Sequence, residues 1–321
     1  MRRVLVLSLL AVLGCVGAAR PLLIGITQIV DHPALNATRE GILEGLRRAG
    51  YVEGKNVQFL FANAQGDFSV AIAIAQEFRA RGVDLVISIT TPSSQAAVQV
   101  FKDTRVPVVF SAVTDPVGAG ITGYPNVTGA SDLIDVRADV ALLLRLIPGL
   151  RRLGQIYNPG EANSAILTEM TKRACAELGI ELVLAAANST AEVPLAAQSL
   201  VGRVDALYCT TDNTVAAALD AVVAVSKAHR IPFLFADPTS LERGVLICTG
   251  FDYFDHGLLT AEIVVRVLQG TPPSAIPFVR QAGTQILFNL DVAEEIGFRF
   301  PQEAKGLATV LLFGGRRFVR E

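Results

Sequence analysis

The chain has 321 residues, a mass of 34.1 kDa and a formal charge of −2. With a pI near 6.0 it lacks the basic footprint expected of a nucleic-acid-binding protein, so no nucleic-acid partner is expected. Only 18% of residues are charged and 51% are hydrophobic, which excludes a disordered chain and leaves room for two units of about 150 residues.

Trp is absent and aromatic residues make up 7%, so aliphatic side chains must build the core, as in buried parallel sheets. A mean hydropathy of +0.45 makes each apolar run worth checking as a membrane span. Arg2 and Arg3 precede an apolar run over 4–13, and Gly17-Ala18-Ala19 follows. This is the anatomy of a secretory signal peptide over residues 1–19, with cleavage after Ala19. An alternative cut precedes Cys15, because Val12-Leu13-Gly14-Cys15 is an imperfect lipobox, and it would put a lipid anchor at Cys15. No later run reaches about 18 apolar residues without a charge. The richest, 215–225, is broken by Asp220. The mature chain is therefore expected to be water-soluble, in a periplasmic or other extracytoplasmic compartment. Cys175, Cys209 and Cys248 remain after cleavage, an odd number without CxxC spacing. Buried thiols are expected rather than a disulfide framework, although a Cys209–Cys248 pair stays open.

Apolar periodicity predicts a strand at 21–27 and a helix at 34–49 closed by Gly50. A strand at 57–61, a helix at 70–78, a strand at 85–88, a helix at 91–102 and a strand at 106–110 follow. The pattern restarts with a helix at 136–146, a strand at 153–157, a helix at 164–178 closed by Gly179, a strand at 181–185 and a helix at 193–200. It continues with a strand at 204–209, a helix at 214–229, strands at 233–235 and 245–248, and a helix at 254–268. Alternating strands and helices mean an α/β fold with parallel sheets covered on both faces, here in two halves of similar length.

Open parallel sheets bind ligands beyond the carboxyl ends of their strands, where helix N-termini also point. In the first half those ends carry Gln28, Ile29 and Val30, then Thr91, Ser93 and Ser94, then Thr114 and Asp115. In the second half they carry Tyr157, Asn158, Glu161 and Asn163, then Asp212 and Asn213, then Asp237. A helix start needs one cap, and these ends hold more polar groups than capping uses, so a shared ligand cleft is expected. Catalytic signatures are weak. The three histidines have no metal-ligand spacing, and there is no GxSxG elbow or P-loop. The literal GxGxxG at 118–123 runs into Tyr124-Pro125 and does not open a helix. No enzyme activity, metal or cofactor is expected.

The stretches Ile24-Gly25-Ile26-Thr27-Gln28-Ile29-Val30-Asp31-His32-Pro33-Ala34-Leu35, Phe61-Ala62-Asn63-Ala64-Gln65-Gly66-Asp67 and Ala112-Val113-Thr114-Asp115-Pro116-Val117 resemble, in order and spacing, ABC-transporter substrate-binding proteins of the tryptophan/tyrosine type. So do Tyr157-Asn158-Pro159-Gly160-Glu161-Ala162-Asn163-Ser164 and Thr211-Asp212-Asn213-Thr214-Val215-Ala216. The resemblance covers about residues 20–300 and implies a type I periplasmic binding protein: two Rossmann-like lobes joined by three hinge crossings. The N-terminal lobe would take 20–130 plus 253–281 and the C-terminal lobe 136–248 plus 287–321, with hinges near 131–135, 249–252 and 282–286. The chain departs from the family pattern at Tyr208-Cys209-Thr210 and in the tail after Gly306.

The implied function is capture of a small zwitterionic ligand, an aromatic or other apolar amino acid, by lobe closure and its delivery to the membrane permease of an ABC importer. A monomer is expected. The alternative is a sensing subunit of the same fold that presents its ligand to a membrane receptor. For a zwitterion, the 91–94 helix start suits the carboxylate. Asp115 and Asp212, then Glu161, suit the ammonium, and Ile29, Val30 and Tyr157 would flank the side chain.

Overall fold

The computed structural model describes residues 20–320, so the signal-peptide and lipobox assignments lie outside the described residues. The first half alternates β1 (Leu22–Gln28), α1 (Pro33–Arg48), β2 (Val57–Asn63), α2 (Phe68–Ala80), β3 (Leu85–Ile89), α3 (Thr91–Phe101), β4 (Val108–Val113) and β5 (Val127–Ser131). Local chemistry sets the helix starts. Pro occupies the first turn of α1 and α3, where its missing N–H costs nothing. The Asp67 carboxylate accepts from the Ser69 and Val70 amides at 2.7 and 3.2 Å to cap α2.

The second half runs through α4 (Val136–Leu146), β6 (Arg152–Tyr157), α5 (Ala162–Leu178), β7 (Glu181–Ala186), α6 (Val193–Ser199), β8 (Ala206–Cys209), α7 (Asn213–Ala217), α8 (Leu219–His229), β9 (Phe233–Phe235) and β10 (Ile247–Gly250). Helix α9 (Tyr253–Leu268) follows, then β11 (Val279–Arg280), β12 (Gln285–Asn289), α10 (Leu290–Ile296), β13 (Val310–Phe313) and β14 (Arg316–Val319).

Six strands in the order β11-β5-β4-β3-β1-β2 form the first sheet, all paired in parallel. Eight strands in the order β14-β13-β12-β10-β9-β8-β6-β7 form the second. The chain passes between the sheets three times, after β5, after β10 and between β11 and β12. Each sheet has its own apolar core, that of the second split between its two faces. Cys175, Cys209 and Cys248 are free and buried.

The elements differ from the sequence reading in several places, beginning with β11, β12, α10, β13 and β14, since no element was expected after the 254–268 helix. The second sheet is mixed, since β12 runs antiparallel to β10 and β14 antiparallel to β13. Strand β4 continues to Val113 through a register shift against β5, and Ala112 there takes a left-handed φ of 51°. Strand β5 was not expected, because Val127-Thr128-Gly129-Ala130-Ser131 has little apolar alternation. Gly129 suits it, since a Cβ there would meet the Phe110 carbonyl oxygen at 2.1 Å. Finally, the expected 214–229 helix breaks at Ala218. The Arg243 guanidinium donates to the Ala216 carbonyl at 3.2 Å, the acceptor an unbroken helix would offer to the Asp220 amide, and pairs with the Asp220 carboxylate at 2.8 Å.

Helix α9 packs against α1 of the first half. The contact is close because Gly41 and Gly257 face each other. A Cβ on Gly41 would lie 2.1 Å from the Phe254 carbonyl oxygen, and one on Gly257 would lie 2.2 Å from that of Thr38.

Candidate functional site

The carboxyl ends of the parallel strands of both sheets meet across an interface, and two spaces open there. The inner cavity is small, about 20 Å³, or room for about one water. Its first-half wall comes from His32, Leu35, Thr90, Thr91, Ala112, Thr114, Asp132 and Tyr253, and its second-half wall includes Asn163, Thr211, Asp212, Asn213, Phe235 and Asp237. The outer cleft is wider, about 820 Å³.

The sequence-derived residues divide between these spaces. Thr91, Thr114, Asn163, Asp212, Asn213 and Asp237 line the inner cavity. Ile29, Val30, Asn158 and Glu161 line the outer cleft, where Asn213 also contributes. Gln28, Ser93, Ser94, Asp115 and Tyr157 line neither. Gln28 ties the β1–α1 turn together, donating to the Val30 carbonyl at 2.8 Å and to Asn36 at 2.9 Å and accepting from Arg39 at 3.0 Å. The Ser94 hydroxyl pairs with that of Ser88 at 2.8 Å beneath α3. The Ser93 hydroxyl is buried without a partner. The Asp115 carboxylate is used by its own turn, accepting from the Val117 and Gly118 amides at 3.1 and 2.9 Å.

Asp212 is a junction. Its carboxylate accepts from the Asn158 amide and the Ser164 hydroxyl at 2.6 Å each and from the Val215 amide at 2.8 Å. It therefore joins the end of β6 to the starts of α5 and α7. Burial, reinforced by the negative charge of Glu161, raises its pKa to about 7 against these donors. Glu161 accepts from the Thr214 amide at 3.0 Å and the Thr214 hydroxyl at 2.7 Å, and from Asn163 at 3.3 Å. These two carboxylates, chosen in sequence for an ammonium ion, are occupied by protein donors.

Sequence reasoning did not select Asp132, Tyr253, Phe235, Thr90 or His32 for the site. Asp132 follows β5, the strand the pattern did not reveal. Its carboxylate accepts from the Tyr253 hydroxyl at 3.2 Å and the Thr114 hydroxyl at 3.5 Å, and burial lifts its pKa to about 6. Asp237 accepts from the Thr239 amide and hydroxyl at 2.9 and 2.7 Å and from the Ser240 hydroxyl at 3.1 Å. His32, whose extended strand-end position was the available signal, approaches Asn213 Oδ1 through Nε2 at 3.4 Å, a contact between the two halves. Burial lowers its pKa, against the opposing influence of Asp237, Asn213 and Glu161.

The wall of the inner cavity also holds unpaired polarity. His32 Nδ1, the Thr90, Thr91 and Thr211 hydroxyls and Asn163 Oδ1 are buried with no hydrogen-bond partner. Such groups are costly unless a guest or water satisfies them. Buried carboxylates, hydroxyls and an imidazole beside Leu35, Ala112 and Phe235 offer hydrogen bonds to both signs of charge together with an apolar wall.

The family of ABC transporter substrate-binding proteins matches residues 23–310. A tyrosine-binding protein of Clostridioides difficile (strain R20291) is 34% identical over 278 residues, covering 85% of this chain and 80% of that protein. The ABC domain in complex with L-Trp from Streptococcus pneumonia is 30% identical, with a TM-score of 0.85 over 91% of this chain and 99% of that one. The ligand-free, open structure of a substrate-binding protein with adhesive properties from Clostridium difficile is 35% identical, with a TM-score of 0.65 over 88% of this chain and 96% of that one. With two mostly parallel sheets whose strand ends face each other across a polar cavity, and with this match over most of its length, the chain belongs to the ABC transporter substrate-binding protein family, has the type I periplasmic binding protein fold and is a binding protein rather than an enzyme.

Proposed function

We propose that the chain is the extracytoplasmic solute-binding component of an ABC importer and that it captures an aromatic amino acid between its two lobes at the inner cavity, whose walls part from their one-water spacing to admit the guest and close around it. The observation that carries this reading is the inner cavity itself, with its unpartnered hydroxyls, its buried carboxylates and Phe235 contributed from both halves. The tyrosine and L-Trp named for the relatives support an aromatic guest. Closure is supported by the better overlay on the L-Trp complex than on the open, ligand-free chain, despite the latter's higher identity. Hinges near 131–135, 249–252 and 282–286 would carry the motion, and the closed form would dock on the permease.

Within the cavity, the ligand ammonium goes to Asp132, whose hydroxyl donors lie at 3.2 and 3.5 Å, because the carboxylates of Asp115, Asp212, Glu161 and Asp237 are held by closer protein donors. The ligand carboxylate meets the Thr90 and Thr91 hydroxyls at the start of α3, where the helix N-terminus favours an anion. The aromatic ring lies against Leu35 and Phe235. Titration calorimetry with L-Tyr, L-Trp, L-Leu, L-Glu and galactose tests the reading. One-to-one binding of L-Tyr or L-Trp is expected, and a preference for galactose or L-Glu would refute the aromatic assignment.

A further inference from the structure

His32 carries a hydrogen-bonding atom that neither the fold nor the arrangement above uses. It stands at the N-cap of α1, where its side chain makes no cap bond. The residue is only 8% exposed and lines the inner cavity. Its Nε2 faces Asn213 Oδ1 at 3.4 Å, and its Nδ1 is buried with no hydrogen-bond partner.

The groups behind Asn213 decide which ring nitrogen holds the proton. The Glu161 carboxylate accepts from the Asn213 side-chain nitrogen and, at 3.3 Å, from the Asn213 backbone N–H. A carboxylate only accepts, so the Asn213 amide turns its nitrogen to Glu161 and its oxygen to His32. An amide oxygen only accepts too, so Nε2 is the donor in this contact between the halves. Burial holds the imidazole pKa below its usual value, against Asp237, Asn213 and Glu161 and in the same sense as Arg243, so the ring is neutral. A neutral ring with its proton on Nε2 leaves a bare lone pair on Nδ1. A buried acceptor of this kind is costly until a donor meets it.

An aromatic amino acid has few donors to offer. Its ammonium is drawn by charge to Asp132, and its carboxylate only accepts. That leaves a donor on the ring. Leu35, against which the ring lies in the proposed arrangement, is in the first turn of α1, beside its N-cap. We propose that His32 Nδ1 accepts a hydrogen bond from the ring O–H or N–H of the guest and makes the cavity selective for tyrosine and tryptophan over phenylalanine. This rests on the aromatic guest proposed above and adds the atom that sorts one aromatic guest from another. Phenylalanine fills similar space but leaves the acceptor unmet, and a site built around a guest's hydrogen bond rejects the analogue that lacks it.

Titration calorimetry tests the assignment with guests that differ in the ring donor. L-Tyr, L-Trp and para-amino-L-phenylalanine should bind at least about tenfold more tightly than L-Phe and para-fluoro-L-phenylalanine. His32→Leu removes the acceptor at a position that makes no cap bond, and should bring the two groups of guests together. Losing the contact with Asn213 weakens every guest alike, so the ratio of affinities reads Nδ1 alone. His32→Asn returns an acceptor oxygen near the place of Nδ1 and should restore part of the preference. Equal affinity of the parent for L-Tyr and L-Phe overturns the inference while leaving the aromatic reading intact. A preference that survives His32→Leu, with all affinities lowered together, gives His32 a part in closure only and also overturns it. If no aromatic amino acid binds the parent, the aromatic reading itself fails and this inference falls with it.

Discussion

Asp132 and Asp212 are both buried acids with raised pKa values, yet the groups around them assign different work. Asp212 has three protein donors, and Asp212→Ala would leave those donors unpaired in the interior. Each such loss costs about 1–3 kcal/mol, so a fall in unfolding free energy of about 3 kcal/mol or more is expected in denaturant melts. Asp132 has two weaker donors and lines the inner cavity. Asp132→Asn is expected to weaken amino-acid affinity by about tenfold or more while the fold persists, read by calorimetry. Its titration gives a second readout. The folded-state pKa, about 6, lies above the ordinary 3.8, so the native state holds the proton more tightly than the unfolded chain. The stability this contributes is full below the ordinary value and is lost as pH rises through about 6. In the ligand-free protein, melting temperature should therefore fall over this window less steeply for Asp132→Asn than for the parent. Amino-acid affinity should fall as pH drops below about 6, because the protonated acid no longer attracts an ammonium.

At the scale of elements, the α1–α9 contact has no room for a methyl group. Gly41→Ala or Gly257→Ala would press a Cβ into facing backbone, and overpacking of this kind costs about 1–3 kcal/mol, measurable by chemical denaturation. Most of the alternating pattern was legible because buried parallel strands such as Leu85–Ile89 are continuous apolar runs and several helices close on glycine. What was not legible depended on distant partners. Strand β5 exists because Gly129 lets β4 approach, and its small polar sequence says nothing of that. The break at Ala218 depends on Arg243, remote in sequence and invisible to local periodicity. The same reason separates the site residues. The strand ends were found, but which acid is free depends on donors such as Ser164 and Asn158 that only the fold assembles around Asp212.

For the whole molecule, the proposed guest shared by both lobes would link binding to stability and to shape. At 100 times its dissociation constant an aromatic amino acid should stabilise the fold by about 2.7 kcal/mol, visible as a rise in melting temperature. Solution X-ray scattering should show a smaller radius of gyration with ligand than without, and an unchanged radius would count against closure. The inner cavity has a further consequence. Its walls come from both halves and leave space for about one water, so an amino acid held there, as proposed, requires those walls to part both for its entry and for its release. Escape would then wait for the two walls to separate as bodies. Stopped-flow release of a tight and a weak guest should then share one limiting step, sensitive to solvent viscosity, and the residence time becomes a property of the protein's own clock as much as of the molecule it holds.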